Sequence, residues 1–195
     1  MMSDSMIIKR CTKGRIAFTF DDGPNISTQS VLKILRNNRT KASFFVQGSR
    51  IAGHSATIEE MLKEGHLVGT HTYSHRRLTK LSKNEIELEI SSANKRLESI
   101  TGTRTEFFRP PYGSYNRDVL DVLEDKGMHM ALWSKTSVDW LLPGFLMYLN
   151  TYGIDAGDIV LFHDSRKTGK YLDRIIKRAK NKGSLVSLES CVPVF

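Results

Sequence analysis

Hydrophobic and polar positions along the chain follow two alternating periods. Seven short runs are apolar with little internal polarity, at 15–20 (RIAFTF), 41–47 (KASFFVQ), 66–70, 105–109, 128–133, 158–162 and 184–188, and each reads as a strand. Between them lie six stretches with helical spacing, at 28–38, 55–64, 84–100, 116–126, 143–152 and 169–182. The clearest is 84–100, where Ile86, Ile90, Ala93, Leu97 and Ile100 step by four and three and form one apolar stripe, ended by Gly102. Ser55 is the expected cap of the second helix, Gly65 its stop, and Pro143 belongs near the first turn of the fifth. Strands alternating with helices imply a parallel sheet covered by helices. An open doubly wound sheet and a closed or nearly closed barrel both satisfy that pattern.

The polar residues favour the barrel. Asp21-Asp22-Gly23-Pro24, His71-Thr72-Tyr73-Ser74-His75, Arg109-Pro110-Pro111-Tyr112-Gly113, Asp139-Trp140 and His163-Asp164 each fall at or beyond the C-terminal end of an expected strand. In a parallel barrel those ends converge on one face, where active sites are built. An open sheet gathers only the clusters near its switch point.

The residue types suggest metal chemistry. His71 and His75 are four apart, so one helical turn would put both on one face. Catalytic zinc usually keeps three protein ligands and one open position, and the Asp21-Asp22 pair offers the third. Two adjacent carboxylates repel unless a cation compensates, which leaves the second free to act as a base. A plain polar turn is the competing reading of Asp-Asp-Gly-Pro. Arg109, stiffened by two prolines, suits the holding of a carboxylate. His163 ends a fully apolar strand and reads as a general acid, oriented by an acidic neighbour such as Asp139. Tyr112, Trp140, Leu161 and Phe162 would wall the site or simply belong to the core. His54, His66 and His129 have no partners in sequence and read as structural or solvated.

Composition narrows the field further. The 195 residues are the size of one domain, and 39% hydrophobic with 26% charged residues argues against disorder. No apolar run is long enough to cross a membrane, and 1–9 is too short and polar for a secretory signal. The expectation is a cytoplasmic protein as written, or a secreted or cell-wall one if a leader has been lost. A net charge of +8 suggests a polyanion partner, but much of the excess lies in one stretch (Arg166, Lys167, Lys170, Arg174, Lys177, Arg178, Lys180 and Lys182) that reads as a solvated helix face. No nucleic-acid motif is present, so no nucleic-acid partner is expected. A bridge between Cys11 and Cys191 would tie the two ends together; separate thiols are the favoured reading, because sequence does not set their distance.

With Thr19-Phe20 before Asp21 and Leu161-Phe162 before His163, the five clusters resemble, in order, the motifs of the polysaccharide deacetylase family, the NodB-homology domain of carbohydrate esterase family four. The match runs from about residue 14 to residue 189, so 1–195 is read as one such catalytic domain. The resemblance implies a distorted (β/α)7–8, TIM-like barrel and a hydrolase dependent on a divalent metal, zinc first and cobalt or another ion next. Its expected partner is an N-acetylated polysaccharide or oligosaccharide: chitin, chitooligosaccharide or peptidoglycan. By motif position, Asp21 would be the base, Asp22, His71 and His75 the metal ligands, and His163 the acid. Arg109 would hold Asp21 and Asp139 would orient His163. Trp140 and Leu161 would line the acetyl pocket, and Tyr112 would offer its backbone N–H to an oxyanion. Many relatives have an Asp where this chain has Thr136, which bears on substrate contact but not on these roles. The competing functions are a de-O-acetylating esterase of the acetylxylan type and a catalytically silent carbohydrate-binding barrel.

Overall fold

Strand β2, Arg15–Asp21, carries two different faces on alternate residues. Ile16, Phe18 and Phe20 point outward into the large core beneath the helices. Ala17, Thr19 and Asp21 therefore point the other way, because side chains alternate along a strand. A computed structural model, which describes residues 6–192, shows what surrounds this strand.

The remaining strands are β1 (Ile7–Ile8), β3 (Ser43–Val46), β4 (Leu67–Thr70), β5 (Phe107–Phe108), β6 (His129–Ala131), β7 (Lys135–Thr136), β8 (Ile159–His163) and β9 (Ser184–Val186). Every described pairing is parallel, in the order β1-β6-β5-β4-β3-β2-β8-β7, with β9 added to the start of β2. Leu132–Ser134 then carries the chain from β6 to β7, which pairs with β8 at the far edge, so the sheet curls into a distorted barrel. The barrel reading holds over the open sheet.

The helices are α1 (Thr28–Asn37), α2 (Gly48–Ile51), α3 (Ser55–Lys63), α4 (Lys83–Thr101), α5 (Arg117–Asp125), α6 (Gly144–Asn150) and α7 (Arg166–Lys180). In α4 the expected stripe is buried from Ile86 to Leu97, with Ile100 half-buried at its end, Ser82 and Glu85 form a reciprocal capping box, and Gly102 closes the helix at φ 69°. Three local expectations change. Ser55 is the first helical residue of α3 and His54 takes the cap position without a side-chain bond. Helix α7 starts at Arg166, three residues early, because Ser165 caps it through Thr168 N. Strands β1 and β7 and helix α2 are too short to show periodicity and were not expected.

Inside the barrel a second core gathers Cys11, Ala17, Phe45, Ala131, Ile159, Leu188 and Cys191. Cys11 and Cys191 are bridged, with Cα atoms 4.4 Å apart, which corrects the reading of two separate thiols. The crosslink closes a loop with a sequence separation of 180, and bridges of this kind typically add about 2–4 kcal/mol of stability. It sits near the starts of β2 and β8, where Cys11 N donates to Gly157 O.

Candidate active site

Strand register brings the polar clusters to one rim. In the β2–β8 pairing Asp21 is opposite His163. In the β4–β5 pairing Thr70 is opposite Phe108, so the next residues, His71 and Arg109, emerge side by side. These ends border a cavity of about 660 Å³ lined by Asp21, Asp22, His71, His75, Tyr112, Asp139, Trp140, Leu161 and His163. The residues given site roles from the sequence face this cavity except Arg109, which lies directly behind it, while Phe162, the fourth of the expected wall residues, points into the outer core with Phe18 and Phe20. Trp133, Ser165 and Lys167 complete the lining and were missed.

Arg109 is 0% exposed and crosses the barrel interior. Its Nη1 donates to Asp21 Oδ1 at 2.8 Å and to Thr19 Oγ1 at 2.7 Å. Nε donates to Ala131 O and Nη2 to Leu132 O, while the guanidinium lies 4.2 Å from the Phe45 ring centroid. The small inward residues Ala17 and Thr19 leave it room. Burial pulls the guanidinium below the usual arginine range, and Asp21 opposes that pull. With Oδ1 of Asp21 engaged, Oδ2 faces the cavity, 3.8 Å from His71 Nε2.

Asp22, His71 and His75 each offer one ligand atom, all within 4.8 Å of one another. Asp22 Oδ1 lies 3.1 Å from His75 Nε2 and 3.6 Å from His71 Nε2, yet it is buried without a hydrogen-bond partner. His71 Nδ1 pairs with Arg109 O at 2.7 Å, which puts the proton on Nδ1 and leaves the Nε2 lone pair toward Asp22. Burial pushes His71 below its ordinary value, with Asp21 and Asp22 opposing, so the ring favours its neutral, ligating form. Acceptor atoms crowded this way fit a divalent cation among them. Burial raises Asp22, but His75, His71 and His163 outweigh it and hold its carboxyl at about 2, ionised and ready to ligate.

The two histidines do not share a helix, which corrects the expected helical turn. They lie on a loop in which Thr72 and His75 adopt φ 62°, outside the right-handed region. Glu89 of α4 holds this loop, accepting from Tyr73 N at 3.0 Å and Ser74 N at 2.8 Å and from the Ser74 hydroxyl. The signal for Glu89 was there: a carboxylate three residues from Ile86 lies on the apolar stripe itself, where it needs partners.

His163 is held from two sides. Its Nδ1 and backbone N both reach the Asp139 carboxylate at 2.8 Å, and Thr168 donates to the same group at 2.6 Å. Burial lowers His163, but Asp139, Asp21 and Asp22 outweigh it, so its pKa is raised. Asp139 is lowered: burial raises it, and the bonds from His163 and Thr168 more than offset that. Trp140 packs edge-on against His163 at 5.1 Å, and Tyr112 against His75 at 4.9 Å. The neighbouring Asp164 turns away from the cavity and accepts from Asn25 Nδ2 and the Thr28 hydroxyl, which stitches the Asp22–Asn25 turn to β8. Burial raises it to about 6. A Cβ on Gly23 would meet its Oδ2 at 2.5 Å, so this turn needs glycine. His66 is structural, its Nδ1 accepting from Ala42 N.

The model of the family described as polysaccharide deacetylase matches residues 9–131. The chain is 37% identical over 179 residues to a peptidoglycan-N-acetylglucosamine deacetylase of Listeria monocytogenes, which covers 90% of this chain but 38% of that protein. Among solved structures, the chitin deacetylase of Colletotrichum lindemuthianum superposes with a TM-score of 0.90 at 29% identity, covering 98% of this chain and 93% of the other. A family 4 pseudoenzyme from Bacillus anthracis superposes at 0.89 with 26% identity, covering 96% and 69%.

Proposed function

The chain belongs to the polysaccharide deacetylase family, and from that premise we propose that it is a metal-dependent hydrolase removing N-acetyl groups from N-acetylglucosamine polymers such as chitin or peptidoglycan, with release of acetate. The observation that carries this reading is the set of three arrangements on one rim: a ligand triad, a carboxylate pinned by Arg109, and a histidine oriented by Asp139. A silent barrel has no use for all three.

Two imidazoles and a carboxylate suit zinc, with cobalt or another divalent ion as the next candidates. A divalent ion held by Asp22, His71 and His75 would polarise the acetyl carbonyl and acidify a water beside it. Asp21 Oδ2 takes that water's proton, while Arg109 keeps Oδ1 occupied and the carboxylate aimed. Tyr112, at φ 61°, turns its peptide at the cavity wall, and its N–H supports the charge developing on the acetyl oxygen. His163 Nε2 gives its proton to the departing nitrogen, since an amide nitrogen leaves poorly without one. Trp140 and Leu161 enclose the methyl group. Acetate release from chitin oligomers, peptidoglycan and acetylxylan, with and without chelator, tests the reading. Preference for acetylxylan would move it to O-deacetylation; inactivity on all three with metal present would overturn it. The Cys11–Cys191 bridge supports an oxidising compartment, hence a site of action outside the cytosol.

Two expectations follow for positioning groups. Glu89→Ala releases the ligand loop and is expected to weaken divalent-ion binding by about 10–100-fold, read by chelator competition, while Glu89→Gln retains part of it. Unchanged affinity in the alanine variant would remove Glu89 from this role. A raised pKa keeps His163 protonated until pH climbs through that raised value, so acid catalysis is lost on the alkaline side. Asp139→Asn removes the charge that raises it. The alkaline limb of the kcat profile is therefore expected to move to lower pH, and a limb that stays in place would show that His163 is not the acid.

A further inference from the structure

The stretch 140–152 contains no charged residue. Much of it is exposed: Leu141 is 71% exposed and Phe145 59%, with Leu146, Leu149 and Tyr152 also open to solvent. Helix α6 buries only Met147 and leaves Phe145 and Leu149, one turn apart, on its outer side. Apolar side chains grouped this way on a protein surface mark an interaction site.

The side of this patch that borders α7 is cationic. Helix α7 lies alongside: Lys167 Nζ donates to Leu142 O, Tyr171 stacks on Tyr148, and Arg178 lies 3.8 Å from the Tyr152 ring centroid. Lys167, Arg174 and Arg178 fall with Tyr171 on the stripe of α7 that faces α6. Arg166, Lys167, Lys170 and Arg174 are exposed and have no ion pair among the described residues. The patch therefore joins protruding leucines and a phenylalanine to a border of tyrosines, a tryptophan and cations.

We propose that this face docks on an anionic phospholipid bilayer. Leu, Phe and Trp entering the acyl boundary beside a row of Lys and Arg is the pattern of interfacial binding. A glycan chain fits poorly, because the protruding groups Leu141, Phe145, Leu146 and Leu149 offer it no hydrogen bond, and Asn150, the one amide in the stretch, already donates to Thr136 O. A second copy fits poorly too: a two-fold contact sets this patch against itself, and 140–152 has no carboxylate to offer the cations of α7. Trp140 and Lys167 belong both to this border and to the cavity wall, so the mouth of the site opens at the edge of the docked face. On the deacetylase reading, the glycan taken would be one held close to a bilayer.

The test is co-sedimentation of the full chain with phosphatidylcholine vesicles, with and without phosphatidylglycerol. Binding is expected only with the anionic lipid and is expected to fall with added salt. Leu141→Ser with Phe145→Ser is expected to weaken partitioning by about tenfold or more, with an unchanged Tm because both side chains are exposed. Lys170→Glu with Arg174→Glu is expected to abolish the preference for anionic lipid. Leu88→Ser, an exposed leucine on α4, serves as the control and is expected to bind like the parent. No binding by the parent, or equal binding by the Leu141/Phe145 variant, overturns the proposal. So does a concentration-dependent dimer that this variant abolishes, which would assign the face to a second copy. Since vesicle binding needs no turnover, its failure and failure of the deacetylase reading are separately visible.

Discussion

Asp21→Asn is expected to reduce acetate release by about 10²–10⁴-fold, the usual contribution of a positioned general base, while divalent-ion affinity stays near that of the parent. The separation follows from how the two adjacent carboxylates are used. Asp22 contributes to the ligand triad, whereas Asp21 points one oxygen at Arg109 and the other at the cavity. Asparagine retains an oxygen that can accept from Arg109, so packing behind the site is kept and only the proton acceptor is lost. Paired measurements of steady-state acetate release and metal titration check this. Activity near the parent level with metal bound would take the base role away from Asp21; loss of the metal along with activity would make Asp21 a ligand.

Arg109→Met is expected to cost about 3–5 kcal/mol of stability, the range for removing one partner of a buried ion pair, and to leave little activity. Methionine replaces only the apolar stem of the side chain and gives nothing to Asp21, Thr19, Ala131 O or Leu132 O, all of which now accept from one guanidinium. Urea unfolding should show the midpoint falling with an unchanged m-value. Arg109→Lys restores the charge without the fork and should fall between the two. The double variant Asp21→Leu with Arg109→Met tests the cause: with no uncompensated charge left, part of the stability should return although activity does not. If the double variant is no more stable than Arg109→Met, the loss comes from packing and not from the stranded carboxylate.

These two residues illustrate what could be read from the chain. Residues 15–20 announced a buried strand, and the stripe of 84–100 announced a helix, because each repeats a period long enough to detect. The site residues were legible as chemistry in motif order. Their surroundings were not. Arg109 looks in sequence like any arginine in a proline-rich turn; its complete burial depends on Ala17 and Thr19 leaving space across the barrel, a contact between strands far apart in the chain. The His71–His75 spacing suggested a helical turn, but the loop takes left-handed backbone at Thr72 and His75, which local propensity disfavours and which tertiary bonds from Glu89 offset. The two-residue strands β1 and β7 owe their existence to neighbours rather than to their own composition. Pairing of Cys11 with Cys191 likewise depended on the fold bringing distant segments within bonding range.

That last contact bears on how the domain is carried. The polypeptide reaches residue 11 and leaves residue 191 at one point beneath the barrel, whereas ligands and bases crowd the opposite rim. A unit whose entry and exit meet behaves topologically as a cassette: it can be spliced into a host polypeptide, or have its ends joined and new ones opened elsewhere, without a strand being rerouted through the working face.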